Sequence, residues 1–232
     1  MSLLDSCNDA DQNVLRRLAV ERPDLADAIH APYTTPFWKT FGGVERSRVQ
    51  CHVCSASSDT DMFFNSLQIT IPPDESHPSV ESALRFHLNP EELDRPCTCV
   101  AVGRRSKSLS VIQWPSVLLI GLKRFHTEGY LASYRVRKLS MHVSFHSTLR
   151  VDEGTQYALR GLVVHSGEFA WGHYIAYVRD AGHLWYIFDD RRAPRVVPFA
   201  DVASAEAYTF FMRKYEAIYS QCELSLRPQG SK

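Results

Sequence analysis

Three sets of residues in this 232-residue chain have types and spacings that can do chemistry. The first is an imidazole with carboxylates downstream: His173, set between Gly172 and Tyr174, and then Asp189 beside Asp190. A carboxylate that meets a histidine ring fixes its tautomer and orientation. The other ring nitrogen is then free to take a proton from a nucleophile. The expected form is Asp189 accepting from Nδ1, with Nε2 left free. The plain alternative is a histidine that merely sits on a surface or is hydrogen-bonded in a core. The second set is Cys51 and Cys54, spaced C-x-x-C, with Cys97 and Cys99, spaced C-x-C. A C-x-x-C turn brings two thiolates to one tetrahedral centre. The shorter pair can do so if it lies along a strand, where residues two apart share a face. His52 is a substitute ligand, and two readings stand: a structural zinc, or a site that has lost its metal. The third is Cys7, a lone thiol ahead of a predicted helix, whose dipole and free N–H groups would lower its pKa.

The elements that must position these groups are mostly strands. Leu159–Val164, Tyr174–Val178 and Leu184–Phe188 are crowded with β-branched and aromatic residues and punctuated by Gly167 and Gly172. His173 then opens the second of these strands, behind a glycine that admits backbone or substrate, and Asp189 closes the third. Val117–Leu122 reads as a strand buried on both faces, which Lys123, Arg124 and Phe125 bring to the surface. Val44–Val53 and Met62–Ile71 also read as strands. So does Leu139–Val151, as two, with His142, His146 and His165 on sheet surface. Tyr130–Arg137 reads as a loop or hairpin. Asp9–Ala28 has helical apolar spacing interrupted by Pro23, His30–Pro36 is a Pro-rich connection, Ser79–Leu88 is a helix and Pro90–Leu93 a short turn. Residues 216–232 read as a flexible tail.

Composition bounds the function. With 44% hydrophobic residues, 22% charged and a formal net charge of zero, the chain is globular, long enough for one substantial domain, and has no electrostatic case for nucleic acid. No apolar run approaches a membrane span, and the N-terminus has neither a basic nor an apolar leader region. The expectation is therefore no membrane and a cytoplasmic or nuclear protein. Six cysteines, four in two close pairs, read as metal ligands or free thiols rather than a disulfide framework.

The segments V-V-H-S-G, G-H-Y-I-A-Y-V and W-Y-I-F-D-D, with L-L-I-G-L-K-R-F, F-G-G and the first cysteine pair, resemble the ubiquitin-specific proteases. These are papain-like cysteine peptidases that cut ubiquitin from its conjugates. The resemblance spans about Asp9 to Tyr215. It implies an α+β fold with an antiparallel sheet palm and strand-built fingers: a thumb remnant over 9–43, fingers over 44–100 and palm over 101–215. It also implies His173 as general base and Asp189 as its orienting carboxylate, with Gly172 and Tyr174 at the substrate. Asp9 and Gln12 match the helix whose acids bind the arginines in the tail of ubiquitin, with Gln12 where the second acid would stand. The implied partner is ubiquitin or a ubiquitinated protein. No cofactor is implied for catalysis, and a structural zinc in the fingers is. No box like G-L-x-N-x-G-N-T-C-Y-x-N, which carries the family's nucleophile, is present, so the thumb is expected to be mostly missing and this chain alone inactive. The alternative is an inactive relative that binds ubiquitin or another protein. The flanks of Cys7 do not resemble that box.

Overall fold

Thr35 opens the part of the chain that the structure, a computed structural model, describes: residues 35–99, 102–128, 135–168, 171–190 and 192–215. Cys7, Asp9, Gln12, the predicted helices of Asp9–Ala28 and the predicted tail lie outside the described residues. A short helix, α1 (Pro36–Phe41), begins at the last residue of the expected Pro-rich connection. The Thr35 hydroxyl accepts the Trp38 N–H, and Pro36 takes the first helical position, where a missing N–H costs nothing. Strands β1 (Gly43–Cys51) and β2 (Ser57–Phe64) form an antiparallel hairpin. The expected strand Met62–Ile71 is broken: its start ends β2, and Leu67–Ile69 becomes β3 in a different sheet.

Helix α2 (Val80–Leu88) begins at a reciprocal cap, in which Ser79 and Ser82 each accept the other's backbone N–H, and it buries Val80, Ala83 and Leu84. β4 (Glu91–Leu93) is a short strand where a turn is expected, and it pairs with β5 (Arg105–Gln113). Next come β6 (Val117–Leu122), β7 (Phe125–Glu128), β8 (Arg135–Lys138), β9 (Thr148–Arg150), β10 (Gln156–Gly167), β11 (Gly172–Arg179), β12 (Trp185–Asp189), β13 (Arg192–Val197), helix α3 (Phe199–Ala203) and β14 (Ala207–Lys214).

The larger sheet runs β13-β12-β11-β10-β14-β6-β3, with β9 on β10. It is antiparallel except where β3 meets β6. β6 is buried along five of its six residues, as the unbroken apolar run predicts. Leu118, Ile120 and Leu122 join Leu159, Leu162, Phe210 and Met212 in the core. Each such side chain contributes about 1.5–3 kcal/mol by leaving water. The smaller sheet runs β2-β1-β5-β4. It lies between Gly43 and Gln113, so β5 belongs to it although it falls after residue 100.

Two expectations fail for one reason. Arg124 does not bring β6 to the surface; it is 1% exposed. Its guanidinium donates to the carbonyls of Leu139 at 2.9 Å, Met141 at 2.7 Å and Ala207 at 2.8 Å. The carbonyls of Leu139 and Met141 are turned to this side chain rather than to a neighbouring strand. Instead of two strands, Leu139–Val151 therefore holds only β9, preceded by irregular backbone that touches Ser79 through one bridge at Ser144.

Candidate functional site

β11 and β12 pair antiparallel with Ala176 opposite Phe188, which puts Ile175 across from Asp189 and His173 one diagonal step further along. A diagonal cross-strand pair is about 7–8 Å apart at the backbone. His173 spans it with the ring nitrogen farthest from its own backbone: Nε2 lies 2.9 Å from Asp189 Oδ1. This differs from the expected contact through Nδ1. Asp189 takes Nε2, and Nδ1 is the nitrogen it leaves to other partners. A bulge between Ile187 and Asp189 in the pairing of β12 with β13 turns the Asp189 end of the strand. Both side chains are a quarter to a third exposed, so the pair is open to a reacting group at one side. Asp190 follows in the turn, exposed.

The strand before it explains Gly172. β10 and β11 pair with His165 opposite Tyr174 and Gly167 opposite Gly172. Gly167 sits at φ 121°, a left-handed conformation that favours glycine. His165 is not on a sheet surface as expected; it is 5% exposed, its ring stacked on Tyr174 with centroids 4.5 Å apart and flanked by Phe125 and Tyr208. A Cβ at Gly172 would fall against His165 Nε2 well inside contact distance and 2.7 Å from the Ser166 carbonyl. The glycine thus makes room for a neighbouring ring and carbonyl, and Tyr174 stands half exposed on that ring. Desolvation, and then the Lys138 ammonium that donates to the His165 carbonyl, push the His165 pKa down, so the ring is held neutral. The cue for His165 lay in the V-V-H-S-G run, where it directly continues the apolar stretch of β10. Of the other two histidines grouped with it, His142 pairs with the Ala203 carbonyl at 2.9 Å and His146 is exposed, neither of them on a strand.

The four cysteines come together at the far end of the smaller sheet. Their sulfurs all lie within 4.8 Å of one another, with Cys51 to Cys99 at 4.0 Å and Cys54 to Cys97 at 3.9 Å. A tetrahedral thiolate centre with bonds of about 2.3 Å requires sulfurs about 3.8 Å apart. The donor set fits a metal ion. The first pair sits on a turn closed by Ser55 N–H to Cys51 O at 3.1 Å, with Ser55 at φ 57°. The second pair is not on a strand. Its turn follows the pair instead of separating it, with Val102 N–H on Cys99 O and Cys97 N–H on Gly103 O, both at 2.9 Å. Gly103 lies against Cys51, where a Cβ would come 2.8 Å from its sulfur. His52 turns away to Glu92 at 3.4 Å and is not needed as a ligand. Backbone N–H donation from Cys54, and then from Val53, lowers the Cys51 thiol to about 6. Cys54 moves the other way, to about 11. Its largest influence, the Ala56 N–H, pulls it down, and hydrogen bonding to Cys51, desolvation and the other thiols together outweigh that. Four clustered thiols resist full ionisation by themselves, and a cation removes that resistance.

The family described as ubiquitin carboxyl-terminal hydrolase matches residues 2–212. The chain belongs to that family. A curated ubiquitin carboxyl-terminal hydrolase, number 15 of Arabidopsis thaliana, is 34% identical over 200 residues, covering 78% of this chain and 21% of that protein. Number 42 of Homo sapiens is 30% identical over 205 residues, covering 81% of this chain and 14% of that protein. The chain thus spans about a fifth or less of these two hydrolases. Among solved structures, the SAGA DUB module of Ubp8, Sgf11, Sus1 and Sgf73 bound to monoubiquitin matches with a TM-score of 0.68 at 27% identity, covering 77% of this chain and 42% of the matched one. A yeast SAGA DUB module matches with a TM-score of 0.74 at 25% identity, covering 84% and 45%. The antiparallel α+β architecture expected from the sequence is that of these SAGA DUB module structures. No helix among the described residues is long and apolar enough to cross a membrane.

Proposed function

We propose that this chain is part of a ubiquitin-directed cysteine peptidase domain in which His173 is the general base and Asp189 its orienting carboxylate. The observation that carries this is the 2.9 Å pairing of His173 Nε2 with Asp189 Oδ1. With Asp189 holding Nε2 as the N–H donor, Nδ1 is the acceptor. It takes the proton of a cysteine thiol as sulfur attacks the carbonyl of the bond after the C-terminus of ubiquitin. It then returns that proton to the leaving amine, and it accepts one from the water that cleaves the thioester and passes it to the departing cysteine sulfur. Gly172 and Tyr174 line the approach to His173 and contact the ubiquitin tail, to which Asp9 and Gln12 also bind. All four cysteines among the described residues lie in the cluster, so the thiol is supplied from outside them.

In this reading Cys51, Cys54, Cys97 and Cys99 hold a structural zinc, which on binding would draw four thiolates into one closed centre. The smaller sheet forms the fingers, reaching Gln113, and the larger sheet forms the palm; residues 9–43 are a thumb remnant. A cytoplasmic or nuclear setting keeps these thiols reduced. Ubiquitin as partner is supported by the relative solved with monoubiquitin.

The commitment of the described cysteines to the cluster also favours a second reading, a ubiquitin-binding module without turnover. Both are tested on the purified chain with a fluorogenic ubiquitin substrate, a ubiquitin probe bearing a thiol-reactive C-terminus, and a ubiquitin-binding titration. We expect no measurable turnover and weak binding. Turnover that disappears in Cys7→Ala and in His173→Ala would make Cys7 the nucleophile. Absence of both turnover and binding would refute a ubiquitin-directed role for this chain.

A further inference from the structure

The end of β11 remote from His173 borders a cavity of about 410 Å³, within the range of about 300–1,000 Å³ over which small-ligand pockets occur. Six residues at about 3.3 Å each place it about 20 Å from the imidazole, so it is independent of the catalytic reading. Cross-strand pairing builds it. Arg179 stands opposite Trp185, and Trp185 opposite Val197, so the three share the core-facing side of β11, β12 and β13. Phe199 extends the wall from α3, its ring 5.8 Å from that of Trp185 and tilted by 36°. Ser147 and His183 complete the rim.

The electrostatics of this cavity are one-sided. The Arg179 Nε–H is buried and has no hydrogen-bond partner, and no carboxylate is among the residues that line the cavity. The nearest acid in sequence, Asp180, is spent on the hairpin turn: its Oδ1 accepts the Leu184 N–H at 2.8 Å, while its backbone carbonyl accepts the N–H of His183, which sits at φ 71°. A buried guanidinium donor without an acceptor is costly. A planar carboxylate is the group whose geometry satisfies it, with a second donor available at Ser147. The aromatic pair and Val197 beside it give an apolar neighbour its place.

We propose that this cavity is a docking pocket for an acidic peptide segment of a partner protein. One side-chain carboxylate sits on Arg179, and the adjoining apolar side chain lies against Trp185 and Phe199.

The test is a millimolar titration of the ¹⁵N-labelled chain, reading the Arg179 Nε–Hε and Trp185 indole resonances. Three probes are used: acetylated and amidated Glu-Leu, the same dipeptide with Gln for Glu, and acetylated Gln-Leu with a free C-terminal carboxylate. Glu-Leu is expected to give saturable shifts at both resonances, and its Gln counterpart to bind at least about tenfold more weakly, the loss typical of a charge-assisted bond. Arg179→Gln should abolish binding, and Arg179→Lys should retain only part of it, because an ammonium lacks the planar fork. Should Arg179→Gln disturb the fold, Ser147→Phe decides: it fills the cavity from the exposed rim, leaves Arg179 in place, and is expected to abolish the shifts. Equal binding of the Glu and Gln peptides, unchanged affinity in Ser147→Phe, or no saturable shift at all would each overturn the proposal. Tighter binding of the free C-terminal carboxylate than of the glutamate side chain would overturn the internal segment in favour of a chain terminus.

Discussion

Gly172→Ala should destabilise the fold, and the reason is local enough to be isolated. The added Cβ would press into the imidazole of His165 and come 2.7 Å from the Ser166 carbonyl. The ring cannot swing aside without losing its stack on Tyr174 and its contacts with Phe125 and Tyr208. Overpacking of this kind costs about 1–3 kcal/mol, offset by about 0.4–1 kcal/mol from the reduced freedom of the unfolded chain when alanine replaces glycine. The net expected loss is about 1–2 kcal/mol, or about 2–8 °C in Tm for a domain of this size. Urea unfolding of the wild type, Gly172→Ala, His165→Ala and the double variant measures it. Because His165→Ala removes the nearer obstacle and leaves the Ser166 carbonyl, most of the penalty should vanish in that background, giving a coupling of about 1 kcal/mol. If Gly172→Ala is neutral, or costs the same with His165 present or absent, then the ring is not what the glycine accommodates.

Other outcomes follow from the same structure. The chain should bind one zinc, and Cys97→Ser or Cys54→Ser should weaken that binding; a four-thiolate spectrum with cobalt as the probe ion checks the ligand set, and unchanged metal content in both variants would rule it out. Because His165 has a lowered pKa in the fold, the unfolded state binds its proton more readily. The stability contribution is thus intact above the ordinary histidine pKa of about 6.5 and is lost as pH falls below it. His165→Phe should flatten the acid side of a stability profile, and an unaltered slope would show that another group titrates there. Arg124→Met should cost at least about 3 kcal/mol in urea unfolding, since it strands three carbonyls, two of them on the irregular segment before β9. A near-neutral result would mean that water replaces the guanidinium.

What could be read from the sequence was whatever depended on neighbours close along the chain. β6 announced itself as an unbroken apolar run, and β10, β11 and β12 through crowded β-branched and aromatic residues and glycine punctuation, so the meeting of His173 with Asp189 could be anticipated from strand ends alone. The atom that makes the contact could not, because it depends on a diagonal register. Arg124 and His165 were misjudged because a polar residue beside an apolar run looks like an edge. Their burial is decided by carbonyls at residues 139, 141 and 207 and by rings at 125, 174 and 208. Likewise the second cysteine pair reaches the first by a turn that follows it, set by Val102 at φ 48° and by the tight approach of Gly103 to Cys51, which C-x-C spacing does not encode.

The smaller sheet is made by two separate excursions of the chain. The chain goes out through β1 and back along β2 to β3, and it goes out again through β4 and back along β5 to β6, while β3 and β6 lie side by side in the larger sheet. Each excursion carries one pair of thiols at its outer turn, so the two half-sites are neighbours in space only after the intervening chain has folded. Closing a loop of that length costs entropy that grows only as its logarithm, and the pairing of β1 with β5 offsets that cost. The second half-site is then presented to the first at a high effective concentration, which an unfolded or nascent chain lacks. A metal ion held by all four thiols would therefore tie together two half-sites that only correct pairing of β1 with β5 brings side by side.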